Sequence, residues 1–259
     1  MHYRNVRNLM GALLLPAMLS FSPLKAATDD TAETPETYGI TAETENHRFL
    51  YSYPKALARE PALSGYLSNK ALGEAIIFSA DSDRDHAEAV ARMGNGYRLK
   101  PYDYQVLWTE EAETSTYISL SRSIYQYLGG AHGMSTTTSL LWDKNADGPV
   151  ETMALFGAER FDQALQKAFC EQLNIQRAEK RGHPVDANSE DGFDACITPS
   201  EQTVILGSAK GARFDTVSIN VAPYEAGPYV EGSYQVDLPV TRTIISAVKP
   251  EYRKHFAIR

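Results

Sequence analysis

Residues 102–142, YDYQVLWTEEAETSTYISLSRSIYQYLGGAHGMSTTTSLLW, contain three runs in which large apolar residues alternate with small or polar ones. Alternation of this kind is typical of a β-strand with one buried face. The runs cover residues 102–109, 116–127 and 134–142, and only short links separate them. The segment therefore predicts a meander of three antiparallel strands, with two adjacent glycines in the turn before the last strand.

The residues before the meander predict one more strand and a helical region. Residues 47–53 alternate in the same way and are followed by Pro54, which would end a strand. Residues 61–92 are rich in Ala and Leu, with apolar residues at roughly helical spacing. They predict one or two helices, and the acidic cluster at residues 81–85 is where a break between two helices would fall.

The residues after the meander predict a second group of strands with helices around it. Residues 161–173 carry apolar side chains at helical spacing and predict an amphipathic helix. Strands are predicted at residues 203–206, 215–221 and 233–238, and a last helix is predicted from near Val240.

This order of elements predicts the fold class. Helices stand between groups of strands rather than after every strand, which favours an α+β fold over a doubly wound α/β fold. We expect two closely packed halves, residues 47–145 and 150–259, each an antiparallel sheet with one or two helices.

The composition excludes some classes of function. The chain has 259 residues, 43% of them hydrophobic, which is enough to bury a core. Its 33 acidic residues outnumber its 25 Lys and Arg residues. Because nucleic-acid binding depends on clustered Lys and Arg, this balance argues against nucleic acid as the main partner.

The amino terminus has the pattern of a secretory signal peptide. Residues 1–26 combine Arg4 and Arg7 with an apolar run at residues 9–21 and small residues at the predicted cleavage site. The run contains Pro16 and is shorter than the roughly 20 apolar residues that span a bilayer. We therefore predict a cleaved signal peptide and a soluble periplasmic protein without stable membrane insertion.

The residues that follow the signal are predicted to be a flexible tether. Residues 27–46 hold six acidic residues, no basic residue and few large apolar side chains. Such a segment cannot offset its ordering entropy by burial. Without the signal, 22 basic residues stand against 33 acidic ones, a charge that would favour a basic partner.

Cys170 and Cys196 are the only two cysteines. An oxidising compartment favours a disulfide between them. The bridge would close a loop around the polar stretch at residues 176–190 and stabilise the fold by about 3–4 kcal/mol. Two free buried thiols are the alternative.

Two short segments hold the candidate binding residues. The first, residues 125–133 (YQYLGGAHG), brings His132 close to a pair of tyrosines. The second, residues 222–229 (APYEAGPY), presents two tyrosines on a chain stiffened by prolines. Such rings suit recognition of sugars or of a protein, and they suit simple packing equally well. The candidates are Tyr125, Tyr127, Gly129, Gly130, His132, Tyr224, Glu225 and Tyr229.

Three roles are open to His132 from the sequence: a metal ligand, a general base, or a hydrogen-bonded structural group. No carboxylate or second histidine at a useful spacing supports the first two. The run at residues 81–86 (DSDRDH) begins like a calcium loop, but it has His86 where that loop needs glycine. We therefore predict no catalytic residue, no metal site and no cofactor.

The two candidate segments together resemble a known exported module. The run YLGGAHG at residues 127–133, followed by an alternating strand, and the run NVAPYEAGP at residues 220–228 are similar in kind and order to the two-part extracellular module of PdaC/RsiV-like proteins. That module precedes the catalytic domain in a peptidoglycan deacetylase and forms the sensor part of an anti-sigma factor that binds lysozyme. The resemblance implies an α+β fold over about residues 47–248.

The resemblance favours a binding module over an enzyme. The deacetylase metal site needs an Asp and a His-x-x-x-His pair, and no such histidine pair occurs in this sequence. We expect a non-catalytic module that recognises an envelope glycan, such as a peptidoglycan fragment, or a lysozyme-like protein. A cell-wall hydrolase or deacetylase centred on His132 is the alternative.

Overall fold

Six strands form the larger of two sheets in the part of the chain that the computed structural model describes, residues 36–94, 96–186 and 192–259. The strands follow chain order across the sheet: β1 (Thr37–Glu43), β2 (His47–Pro54), β3 (Tyr102–Glu113), β4 (Tyr117–Tyr127), β5 (Met134–Asp143) and β6 (Gly148–Val150). Strands β3, β4 and β5 pair antiparallel and are the predicted meander. The signal peptide predicted for residues 1–26 lies outside the described residues.

One pair in this sheet is parallel, which corrects the prediction that both sheets are purely antiparallel. Strands β2 and β3 run in the same direction, with Phe49 opposite Tyr104 and Tyr51 opposite Val106. A parallel pair needs a crossover connection, and the helix α1 (Pro61–Met93) provides it. The first half is therefore a mixed sheet with one long helix.

Helix α1 is continuous through residues 81–85, so the break considered there is absent. Ser82 is buried, and its hydroxyl donates a hydrogen bond to the Phe78 carbonyl at 2.7 Å. On the exposed side, Arg84 pairs with Asp81 at 2.7 Å and with Asp85 at 3.2 Å. The acidic cluster is thus the solvated face of a helix.

The predicted tether at residues 27–46 is wrong over its second half, because β1 lies there. Residues 37–43 pair antiparallel with β2, and Ile40 and Ala42 pack against the core of the first half. The backbone ladder and this alternation order the strand in spite of its acidic residues. Residues 27–35 lie outside the described residues.

The second half is a three-stranded antiparallel sheet flanked by helices. Its strands, β7 (Thr203–Gly207), β8 (Thr216–Val221) and β9 (Tyr234–Pro239), match the three predicted ones. The predicted amphipathic helix is α2 (Ala158–Arg181), and the last helix is α3 (Arg242–Ala247). The α+β class is therefore confirmed.

The two halves pack against each other through the larger sheet. Helix α1 covers one face of that sheet, where Tyr51, Val106 and Trp108 are buried. On the opposite face, Tyr117 and Leu141 join the core of the second half. The second half covers only part of this face.

Cys170 of α2 and Cys196 form a disulfide, with their Cα atoms 5.6 Å apart. This confirms the predicted bridge. No helix among the described residues is long and apolar enough to cross a membrane.

Candidate functional site

The hairpin between β4 and β5 is shaped by two glycines with positive φ and by a hydrogen bond from Tyr127. Gly129 and Gly130 have φ values of 94° and 87°, in the left-handed region that L side chains rarely adopt. The buried Tyr127 donates its hydroxyl to the Gly130 carbonyl at 3.1 Å, and the Lys100 ammonium lies 4.3 Å above the same ring. Tyr127 is therefore a support for the hairpin rather than an exposed contact.

The end of this hairpin depends on a close approach between Tyr125 and Gly133. The Tyr125 ring lies so near the Gly133 backbone that a Cβ atom at position 133 would overlap the phenol. Gly133 is buried, whereas its neighbour His132 is exposed. The approach of Tyr125 thus turns the His132 side chain outward from a fixed backbone.

The second predicted segment is a loop between β8 and β9 that two arginines of α2 hold from beneath. Arg177 is fully buried and donates to the Ala226 carbonyl at 2.9 Å and to the carbonyls of Asp194 and Ala195. Arg181 also reaches the Ala226 carbonyl, at 3.2 Å. The loop is therefore tied to the helix and to the disulfide-bearing segment.

An ionic network beneath the loop fixes Arg181. Its Nε donates to Glu231 at 2.8 Å, and the Tyr234 hydroxyl donates to the same carboxylate. Burial opposes the charge on Glu231, but the hydrogen bonds from Arg181 and Tyr234 outweigh it and lower the pKa of that carboxyl. Burial, with the Glu231 charge beside it, raises the pKa of Tyr234 to about 12.

The two predicted segments contact each other in the structure, although Gly133 and Tyr229 at the contact are 96 residues apart in the sequence. The rings of His132 and Tyr229 stack at 3.9 Å between centroids, with 19° between their planes. The Tyr229 hydroxyl donates to the Gly133 carbonyl at 2.7 Å. Tyr224 has a φ of 74°, and the centroid of its ring lies 5.7 Å from that of Tyr229. We call His132, Tyr224 and Tyr229 the aromatic surface.

The candidate residues thus divide into two groups. His132, Tyr224 and Tyr229 form the aromatic surface, with the exposed Glu225 beside Tyr224 in sequence. Tyr125, Tyr127, Gly129 and Gly130 shape the hairpin that carries His132.

Sequence reasoning missed the two arginines that hold the loop. A signal for one of them exists, because Arg177 continues the buried positions Phe169 and Leu173 at the same spacing of four. A charged residue on the buried stripe of a helix needs internal hydrogen-bond partners. The carbonyls of the second segment and of residues 194 and 195 are those partners.

His132 contacts no carboxylate among the described residues. The ring nitrogen Nδ1 lies 2.9 Å from the Gly133 carbonyl oxygen, and the ring stacks on Tyr229. Within the same residues, no group of three or more His, Cys, Asp or Glu side chains could hold a metal ion. This arrangement can stack on and hydrogen-bond to a ligand.

The fold and this site define an α+β protein whose two halves meet at an exposed aromatic surface. Residues 40–135 match the family model described as Deacetylase PdaC. This segment is therefore similar to the PdaC family, in agreement with the resemblance seen in the sequence. No curated protein matches the chain.

Two solved structures of the DUF3298 family are similar to the chain. One, from Bacteroides fragilis NCTC 9343, is 16% identical, with 85% of this chain and 96% of that chain covered and a TM-score of 0.54. Another, from Pseudomonas aeruginosa PAO1, is 15% identical, covers 88% of this chain and 99% of that one, and has a TM-score of 0.49. At this identity, the Bacteroides structure shows a shared fold, and that fold extends through the second half.

Proposed function

We propose that this chain is an exported, non-catalytic module that binds a glycan of the bacterial cell envelope through its aromatic surface. The observation that supports the proposal is the stacking of His132 on Tyr229, which lies 97 residues further along the chain, with Tyr224 alongside. Rings held on a rigid loop offer flat apolar faces and polar edges at a low entropic cost. The C–H faces of pyranose rings are complementary to such surfaces.

The support beneath the rings is consistent with a preorganised site. Arg177 and Arg181 fix the backbone of the loop, and Tyr229 is bonded to Gly133 before any ligand arrives. Preorganisation reduces the cost of ordering on binding. A loop that served only to connect two strands would not need a fully buried arginine.

A lysozyme-like protein is the second candidate ligand, and two observations favour it. The chain has more acidic than basic residues, and lysozymes are usually basic. Val230, next to Tyr229, is 89% exposed, and an apolar side chain that projects into solvent suits a protein partner. The resemblance to a lysozyme-binding sensor points the same way.

The contacts of His132 do not favour the hydrolase or deacetylase alternative. A general base or metal ligand is commonly oriented by a carboxylate or by a second ligand. The partners of His132 among the described residues are a backbone carbonyl and a tyrosine ring. We therefore assign this histidine to stacking.

Calorimetric titration with chitotetraose and with purified muropeptides tests the proposal. We expect saturable binding by the wild-type chain and at least tenfold weaker binding by Tyr229→Ala, since the loss of an aromatic contact of about 1.5 kcal/mol corresponds to a factor of ten. Tyr38→Ala is the control, because it removes an exposed tyrosine ring (Tyr38 is 45% exposed) that is not part of the aromatic surface. Tyr38 lies on β1, away from the aromatic surface.

Calorimetric titration also distinguishes between the glycan and the lysozyme-like protein as ligands. Hen lysozyme titrated at low and at high ionic strength would show binding that weakens as salt rises if the partner is a basic protein. Glycan binding by wild type that Tyr229→Ala removes supports the proposal. Lysozyme binding without glycan binding favours the second candidate, and binding of neither removes both.

A further inference from the structure

The face of the larger sheet that α1 does not cover contains an open groove. Two neighbouring cross-strand rows form its floor: the first runs through Leu50, Gln105, Tyr125 and Ser135, and the second through Ser52, Leu107, Ser123 and Thr137. Its volume is about 520 Å³, within the range of small-molecule sites. Ser233 of the second half also lines it. We call this feature the sheet groove.

The described lining of the sheet groove contains no charged side chain. It consists of hydroxyl, amide and apolar groups, although the chain as a whole is acidic. An ion pair between Arg48 and Asp103, at 2.6 Å, lies one cross-strand row from the floor, and Gln105 donates its amide to that Asp at 3.0 Å. The pair is internally neutralised, and it orients the Gln105 amide.

Polar and apolar groups alternate along the floor. The side-chain hydroxyls of Ser52, Ser123 and Ser135 have no hydrogen-bond partner among the described residues, so they are available to a ligand. Leu50 and Leu107 are 38% and 51% exposed. Methyl groups between hydroxyls are complementary to a ligand that alternates in the same way.

The sheet groove begins where the aromatic surface ends. Tyr125 lines the groove and lies against Gly133, the residue that accepts the Tyr229 hydroxyl. Ser135, two residues beyond Gly133, is also part of the lining. A ligand stacked on Tyr229 can therefore continue along the sheet over these uncharged residues.

We propose that the sheet groove binds the uncharged backbone of a saccharide chain that carries N-acetyl groups, continuing from a ring stacked on the aromatic surface. This inference rests on the proposed glycan binding and specifies its substrate class. The serine hydroxyls and the Gln105 carbonyl oxygen pair with sugar hydroxyls and amides, and the acetyl methyl groups pack against Leu50 and Leu107. Charged peptide stems find no partner there and point to solvent.

Titration of chitotetraose against Leu107→Glu tests the groove directly. A carboxylate on the groove floor places an unpaired charge against a neutral ligand, so we expect at least tenfold weaker binding. Leu72→Glu is the matched control, because Leu72 on α1 is 54% exposed and Leu107 is 51% exposed. Leu50→Glu is the second variant, and circular dichroism of each protein reports whether it is folded.

The fully de-N-acetylated derivative of chitotetraose is the control ligand. It is cationic, and the acidic chain would attract it through long-range electrostatics. We nevertheless expect it to bind at least tenfold more weakly than chitotetraose, since the groove offers no carboxylate and the acetyl methyls are missing. Equal or tighter binding of the cationic tetramer overturns the inference.

The outcomes distinguish this inference from the proposed function. If Tyr229→Ala loses binding while folded Leu107→Glu and Leu50→Glu bind like wild type, the aromatic surface stands and the groove assignment falls. If both sets of variants lose binding and Leu72→Glu does not, both stand. If wild type binds no oligosaccharide, the proposed glycan function itself fails.

Discussion

At the scale of single residues, the site depends on one glycine that sequence inspection would class as part of a turn. Gly133 has no left-handed φ; glycine is needed there because the Tyr125 ring occupies the space of a Cβ atom. Gly65, in the exposed part of α1, has nothing within 4 Å of its hypothetical Cβ. We therefore expect substitution by alanine to have opposite effects on stability at the two positions.

We expect Gly133→Ala to lower the free energy of unfolding by about 1–3 kcal/mol, the usual cost of overpacking. It should also weaken ligand binding, because Tyr125 and the neighbouring His132 must move. We expect Gly65→Ala to raise the unfolding free energy by about 1 kcal/mol, since alanine is the better helix former. Urea unfolding of both variants measures this, and a Gly133→Ala protein as stable as wild type would contradict the packing argument.

Residue types predicted which side chains come together better than they predicted the role of each one. His132, Tyr224 and Tyr229 were singled out, and the structure brings their rings together. Tyr127 belonged to the same pattern but is buried and bonded to Gly130. The sequence around a loop tyrosine does not show whether its side chain supports the backbone or faces solvent, because that depends on its neighbours in the tertiary structure.

At the scale of elements, strong periodicity was sufficient to locate the helices and strands, but it did not give the direction in which neighbouring strands pair. The meander, α2 and the strands β7 to β9 all have a clear period in the sequence, and most strand ends lie within one residue of the prediction. Strand β3 continues to Glu113 and α2 to Arg181, beyond the predicted ends at residues 109 and 173. The parallel pairing of β2 with β3 arises because a 33-residue helix carries the chain across the sheet. The order strand, helix, strand in the sequence allows this parallel pairing, but the alternation within each strand does not show its direction.

The acidic composition around strand β1 conceals its alternation in the sequence. Tyr38, Ile40 and Ala42 alternate with small or polar residues, yet the surrounding acidic residues suggested a tether. A strand at a sheet edge needs only one ladder and a few apolar contacts. Edge strands are therefore the elements for which composition is the poorest guide.

The disulfide stabilises the element that holds the aromatic loop. It joins α2 to residue 196, next to the carbonyls of Asp194 and Ala195 that Arg177 bonds. We expect the double variant Cys170→Ser/Cys196→Ser to unfold with a free energy about 3 kcal/mol lower than wild type. Chemical denaturation with and without dithiothreitol measures it.

The reductant supplies the control for this prediction. Dithiothreitol should lower the stability of wild type to that of the double variant and leave the double variant unchanged. A wild-type midpoint that does not respond to reduction under denaturing conditions would contradict the role given to the bridge.

At the scale of the whole molecule, the site is a property of the packing between the two halves. His132 comes from the first half and Tyr229 from the second, and neither segment contains the contact within itself. The sequence shows two rigid aromatic segments but no distance between them. The sheet groove is equally invisible there, because it is the part of a sheet face that the second half leaves uncovered.

Two partly buried titratable groups make the stability of the molecule depend on pH in the same direction. Burial, with Lys254 nearby, lowers the pKa of His255 from its usual 6.5. The unfolded chain then binds more protons than the folded one below that value, so stability falls as the pH drops through it. The pKa of Glu231 is also lowered, from 4.5, so its contribution is complete above that value and is lost as acid protonates the carboxylate.

We therefore expect the free energy of unfolding to decrease in two steps between about pH 7 and pH 3. His255→Gln should remove the step near pH 6, and Glu231→Gln should flatten the step below pH 4.5 while costing about 2–3 kcal/mol at neutral pH, because Arg181 loses a buried partner. Glu88→Gln is the control, since Glu88 is 60% exposed and lies 3.9 Å from Arg92. Urea midpoints measured across this pH range test the assignment: if Glu231→Gln keeps the acid dependence of wild type, the carboxylate beneath the aromatic loop is not its source, and other acidic groups must carry it.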